Sequence, residues 1–228
     1  NRDGNADVVS FAFGGTCAGT RLATHVGNGA GAFTRSSITC AAGVHLTACT
    51  AGDLNRDARP DLACVAGEDD YGTGPLLLLR GNGNGTFGPP APTGGSGMDP
   101  QLADINRDGR LDVVLGRTGQ IWLGDGNGGV TRGDDVQSDS NPGWRIVVAE
   151  LNHDGYADLV HSYNGESMFV TLGGPQGYRE QIGVPIFCEC DFSFAVADMN
   201  VDGHPDIIVN SVEQTALAGN LFVMAGRG

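Results

Sequence analysis

The sequence predicts an all-β protein built from repeats. Three observations carry that expectation: an acidic segment that recurs at nearly constant spacing, a Gly-rich segment that recurs between its copies, and short apolar runs bounded by turn residues. Gly is abundant (38 of 228 residues) and aromatic residues make up only 7%, which suits many short strands and tight turns better than long helices. No apolar run is long enough to cross a membrane as a helix.

The acidic segments align as NRDGNADVVS from Asn1, DLNRDARPDLACV from Asp53, DINRDGRLDVVLG from Asp104, ELNHDGYADLVHS from Glu150 and DMNVDGHPDIIVN from Asp198. Their shared Asn falls at Asn1, Asn55, Asn106, Asn152 and Asn200, giving spacings of 54, 51, 46 and 48 residues. That period fits a four-stranded blade and is too long for most helical repeats. The sequence therefore predicts one β-propeller over 1–228, of about five four-stranded blades, with repeats near 1–48, 49–99, 100–145, 146–193 and 194–228. The first repeat begins inside its acidic segment and the last ends at LFVMAGRG. Both terminal blades are thus expected to be incomplete, and a fragment of a seven-bladed propeller is the alternative.

The fourth repeat shows the strand order best. WRIVVAE (Trp144–Glu150) reads as a strand, DLVHSY (Asp158–Tyr163) as a second, SMFVTLGG as a third, and PQGYREQI carries a more polar fourth. Asn-Gly between the second and third accepts the positive φ of a tight hairpin. Strands covered on both faces should be continuously apolar, as LLLLRG (Leu76–Gly81), QIWLG and LFVMAG are. GNGAGAF (Gly27–Phe33), GNGNGTFG (Gly81–Gly88), GDGNGGV (Gly124–Val130) and GGPQGY (Gly173–Tyr178) follow third strands and read as hairpin turns. A phosphate loop would open a helix, and no helical pattern follows these segments.

The combination D-x-N-x-D-G-x-x-D-[LIV], with G-[ND]-G-x-G-x-F some way downstream, resembles the FG-GAP/VCBS repeats of integrin α-subunit propellers and of secreted bacterial and fungal propellers. The resemblance extends over nearly the whole chain and implies a propeller with calcium-binding loops, and for the secreted members lectin-like or adhesive roles.

The residues themselves point to a cation. In the third loop, positions one, three, five and nine are Asp104, Asn106, Asp108 and Asp112, with the backbone carbonyl of Arg110 at position seven. Alternate side chains of a curled loop can face inward together, and Ca²⁺ accepts about six to eight oxygens. Without an ion, two such carboxylates about 4 Å apart repel by roughly 4 kcal/mol. The matching sets are Asp53, Asn55, Asp57, Arg59 and Asp61; Glu150, Asn152, Asp154, Tyr156 and Asp158; and Asp198, Asn200, Asp202, His204 and Asp206. The first loop keeps only Asn1, Asp3 and Asp7. Four to five Ca²⁺ ions are expected. Ala58 stands where the other loops have Gly, at a cost of about 1 kcal/mol if φ is positive there. The loop is not an EF-hand, because position nine leads straight into a strand.

A formal charge of −14 argues against nucleic acid and anionic lipid as partners. Six cysteines without a CxxC suggest disulfides and an extracellular setting. Cys49 and Cys64 flank the second loop near-opposite each other, Cys17 and Cys40 are placed to staple the first blade, and Cys188 and Cys190 either pair elsewhere or remain thiols. No catalytic spacing is present around His25, His45, His153, His161 or His204. The sequence thus favours a secreted recognition module for a glycan or an extracellular protein. Tyr71, Trp144 and Tyr178 are candidate ligand-stacking residues. An accessory or catalytic propeller of a polysaccharide-degrading enzyme, such as a lyase, is the alternative.

Overall fold

The computed structural model describes residues 3–13, 17–67, 72–136, 145–163, 167–178, 180–184, 190–213 and 219–226. The described residues form strands, turns and bends, with no helix. All strand pairs are antiparallel and join neighbours in the chain. The first sheet is β1 (Val8–Phe13), β2 (Gly19–Gly27) and β3 (Phe33–Ala42). The next, in chain order, is β4 (Leu46–Gly52), β5 (Asp61–Ala66), β6 (Gly74–Leu79), β7 (Ala91–Ala103), β8 (Asp112–Gly116), β9 (Ile121–Gly124) and β10 (Val130–Arg132). A four-stranded sheet holds β11 (Ile146–Ala149), β12 (Asp158–Tyr163), β13 (Ser167–Leu172) and β14 (Glu180–Val184). The last sheet is β15 (Cys190–Ala197), β16 (Asp206–Glu213) and β17 (Gly219–Met224).

The seven-stranded sheet is two expected blades that share a strand. The first half of β7 pairs with β6 as far as Gly97, and the second half pairs with β8 from Met98 onward. The repeat boundary expected near residue 99 thus falls inside a strand. The chain passes from one blade to the next through a bulge, with the register broken between Met98 and Pro100 and Asp99 at φ 43°. The first and last sheets have three described strands each, and the sheets do not close into a ring.

Four apolar cores lie between successive blades. On β5, Leu62, Cys64 and Ala66 enter the core shared with the first blade, while Ala63 and Val65 enter the core shared with the third. On β6, Leu77 and Leu79 point one way and Leu76 and Leu78 the other. This two-sided packing is the reason these strands are apolar at every position. The terminal sheets have one neighbour each and expose apolar side chains, among them Phe33 at 50% and Leu221 at 69%.

Disulfides join Cys17 to Cys40 and Cys49 to Cys64. Cys49 and Cys64 are register partners on β4 and β5, and the chain-entropy model assigns a staple over a loop of this size about 3 kcal/mol. The expectation for Cys188 falls outside the described residues.

His161 lies fully buried on β12, hydrogen-bonded through Nε2 to Thr171 Oγ1 at 3.0 Å and stacked on Phe169. Burial pulls its pKa down to about 4. An unfolded His titrates near 6.5, so the unfolded chain takes up this proton first. The contribution is therefore fully present above about pH 6.5 and is lost as pH falls towards about 4, to the extent of about 3 kcal/mol. Urea unfolding across that range should show a flatter pH dependence for His161→Leu than for the wild type; parallel profiles would contradict this account.

Candidate functional site

The acidic segments form near-identical loops. Positions four and six take left-handed backbone, at φ 59° and 61° for Arg56 and Ala58 and 60° and 78° for Arg107 and Gly109. The same holds at 61° and 81° for His153 and Gly155 and at 61° and 89° for Val201 and Gly203. Two left-handed residues separated by one curl the chain, so the side chains at positions one, three and five fold over the loop's own amides. Asp104 accepts the N–H groups of Asp108 and Gly109 at 3.0 and 2.8 Å. Asn106 accepts Asp108 N–H at 3.0 Å and donates Nδ2 to Asp108 at 3.1 Å, and Asp108 accepts Arg110 N–H at 2.9 Å. The loops at Asp53 and Asp198 repeat this pattern. Glu150 departs from it, its longer arm taking Asn152 and Asp154 N–H on Oε1.

At positions one, three, five and seven the four loops offer carboxylate, amide and backbone oxygens, which is the chemistry of a hard divalent cation rather than of zinc or copper. Each of their carboxylates is also engaged with the loop's own amides. Among the described residues no three His, Cys, Asp or Glu side chains are grouped to hold an ion. The physical reason lies at positions three and nine. Position three is an Asn, and the position-nine carboxylate is committed elsewhere.

That ninth residue is a clamp. Asp61, Asp112, Asp158 and Asp206 are at most 1% exposed. One oxygen of each accepts the N–H of position two, from Leu54, Ile105, Leu151 and Met199 at 2.7–3.1 Å. The other accepts a Gly N–H at or just past the end of the third strand, from Gly81, Gly124, Gly173 and Gly226 at 2.7–2.9 Å. Asp7 makes the corresponding bond to Gly27 at 3.0 Å. Only Gly fits there, because a Cβ on Gly124 would lie 2.1 Å from the Leu111 carbonyl oxygen, and one on Gly81 2.0 Å from that of Pro60. Burial raises the pKa of Asp61, Asp112 and Asp158, against the backbone hydrogen bonds that lower it. The two sequence signals, acidic loop and Gly-rich turn, are therefore halves of one hydrogen-bonded unit.

Position four reaches across to the next loop. Arg56 donates Nη2 to the Gly109 carbonyl, the Arg107 guanidinium lies 4.7 Å above the Tyr156 ring, and His153 Nε2 lies 2.8 Å from His204 Nδ1. The Gly-rich turns are linked as well. Thr24 donates Oγ1 to the Gly85 carbonyl at 2.6 Å, and Arg80 donates Nη2 to that of Asn127 at 2.6 Å.

Between the third and fourth repeats lies a cleft of about 1000 Å³ lined by Asn106, Asp134, Asp135, Tyr156, Gln176 and Tyr178 over an apolar floor that includes Ile121 and Leu123. Tyr178 is 4% exposed and packs with Val114, Ile146 and Leu159. Its hydroxyl has no hydrogen-bond partner among the described residues. Burial, and then the charges of Asp158 and Asp112, push its pKa well above the ordinary phenol value. Asp135 pairs with Arg132 at 2.6 Å. Tyr156, predicted at position seven of a loop, also lines the cleft, whereas Tyr178, predicted to stack on a ligand, is buried in the core. Asn1, Tyr71 and Trp144 lie outside the described residues.

In three-dimensional comparison, the chain is similar to the Vibrio cholerae biofilm matrix protein Bap1, at 18% identity and a TM-score of 0.54 over 98% of this chain. It spans about a third (35%) of the length of that protein. It is also similar to the Pseudomonas aeruginosa periplasmic gluconolactonase PpgL, at 14% identity and a TM-score of 0.49, over 97% of this chain and 70% of the other. No curated protein matches the sequence significantly. The FG-GAP-like repeat model matches at residues 1–64 and 59–115, together just over half of the chain. With that match covering three acidic loops and the Gly-rich partners of the first two, and a propeller-like fold continuing through the rest, the chain belongs to the FG-GAP-like repeat family.

Proposed function

We propose that this chain is a calcium-stabilised extracellular recognition module that binds neutral carbohydrate in the cleft between its third and fourth repeats. The cleft carries this reading. Its volume of about 1000 Å³ is at the upper end of ordinary ligand sites. Tyr156 and an apolar floor offer surface to a sugar ring, while the predicted stacking residue Tyr178 is buried in the core beneath it; Asn106, Gln176 and the Asp134–Asp135 pair offer donors and acceptors to the sugar hydroxyls. The side chains lining it include two carboxylates and, among the described residues, no Arg, Lys or His. With a formal charge of −14 for the whole chain, a neutral glycan fits better than an acidic polysaccharide.

Calcium supports the site indirectly. Asn106 and Tyr156 lie both in acidic loops and on the cleft wall, so an ion that fixes either loop also fixes that wall. The residues that would hold the ions are those at positions one, three and five, with the carbonyl at position seven, in the loops beginning at Asp53, Asp104, Glu150 and Asp198. The two disulfides and the likeness to a biofilm matrix protein support a setting outside the cytoplasm. A glycan array probed in millimolar Ca²⁺ tests the reading. Neutral glycans should be retained by the wild type and lost in Gln176→Ala and Asp134→Ala, both of which leave the acidic loops intact. Retention unchanged in both variants, or no retained glycan, would reject the cleft as a sugar site.

A further inference from the structure

The inter-repeat latch at position four changes chemistry at its last step. Arg56 and Arg107 reach a carbonyl and a ring face, and a guanidinium does not bind metals. At the next step two imidazoles face each other, His153 Nε2 and His204 Nδ1 at 2.8 Å, with ring centroids 4.9 Å apart and planes tilted by 58°. His153 keeps its second nitrogen, Nδ1, 3.6 Å from Glu150 Oε2, and its side chain is 47% exposed.

Two facing ring nitrogens can share a proton or a metal ion. An ion at about 2.0–2.1 Å from each nitrogen holds the pair roughly 2.8–3.4 Å apart, for angles between square-planar and tetrahedral. The observed separation of 2.8 Å falls at the short, square-planar end of that range, the geometry Cu²⁺ favours. The Glu150 carboxylate lies on the far side of His153, where metal-bound imidazoles usually have a carboxylate partner, and a shift of about half an ångström from 3.6 Å would bring it within hydrogen-bond reach. Imidazole nitrogen selects Cu²⁺, Zn²⁺ or Ni²⁺ over Ca²⁺, so this pair differs in kind from the oxygen donors at positions one, three and five of the loops that carry it. We infer that His153 and His204 form a transition-metal clip joining the fourth and fifth repeats, with both nitrogens bound to one Cu²⁺ or Zn²⁺ ion and solvent completing its shell.

The test is a Cu²⁺ titration of the full chain, with and without millimolar Ca²⁺, followed by electron paramagnetic resonance. One equivalent should bind with coupling to two imidazole nitrogens. His153→Ala should weaken that equivalent by about tenfold or more and remove the two-nitrogen signature, while His25→Ala should change neither. Added Zn²⁺ should raise the melting midpoint of the wild type but not of His153→Ala. A first equivalent without two-nitrogen coupling, or one that His153→Ala leaves unchanged, would overturn the clip. Both readouts are independent of sugar binding, and the calcium-free arm separates them from the acidic loops.

Discussion

Chelation with EDTA should lower the melting midpoint by at least about 10 °C. One ion present at a hundred times its Kd contributes about 2.7 kcal/mol to the folded state. In a domain of this size about 1 kcal/mol moves the midpoint by roughly 2–4 °C. Several loops filled together therefore give a shift well above the error of a thermal scan. The physical source is the arrangement at positions one and five, where Asp104 and Asp108, Asp53 and Asp57, and Asp198 and Asp202 fold over the same few amides. Arg110 and Arg59 at position seven lie 3.4 and 4.0 Å from Asp108 and Asp57, but such exposed pairs offset little of the repulsion, and an ion between the carboxylates offsets far more. Calorimetric titration of the EDTA-treated chain gives the count, and Asp108→Asn should reduce the calcium stoichiometry by one. Equal midpoints with and without the chelator would remove calcium from the account of stability.

The second large effect is expected at position nine. Asp112→Ala removes the acceptor for two amides, Ile105 N–H and Gly124 N–H, in a place that is fully buried. An unsatisfied buried donor costs about 1–3 kcal/mol, so the loss should be roughly 3–5 kcal/mol by urea unfolding. The decisive feature is its independence of metal. Asp112→Ala should destabilise in EDTA as well as in calcium, whereas Asp108→Asn should destabilise only in calcium. A loss below about 1 kcal/mol for Asp112→Ala in EDTA would show that the clamp contributes little.

Much of this molecule was legible before its coordinates. The five acidic segments, their spacing and the alternation of short apolar runs with Gly-rich turns give strands where they are found, including Asp158–Tyr163. The Cys49–Cys64 staple was legible because the loop between them forces the two strands into register. Ala58 was recognisable as a departure, and it does hold a positive φ of 61°. The shared strand β7 was not legible, since Gly94, Gly95 and Gly97 have no side chains to give the segment an apolar or alternating pattern. Nor was the clamp, because the aspartate and its glycine are 12 to 20 residues apart, as in Asp112 to Gly124 and Asp61 to Gly81. The signal was present as the fixed order of the two motifs, but spacing alone does not say which atoms meet.

The sequence by itself determined the unit: a curled acidic loop, an apolar strand buried from both sides, and a glycine turn, repeated at a period that belongs to a blade. These are local consequences of backbone sterics and hydrophobic pattern, and a linear string carries them. Only the tertiary structure decided what happens between units. It set the position-four side chain of one repeat against the next loop, His153 against His204, and Asn106 and Tyr156 on the two sides of one cleft. Those meetings depend on how each sheet twists and packs over its neighbour, a property of the stacked array that no single repeat encodes.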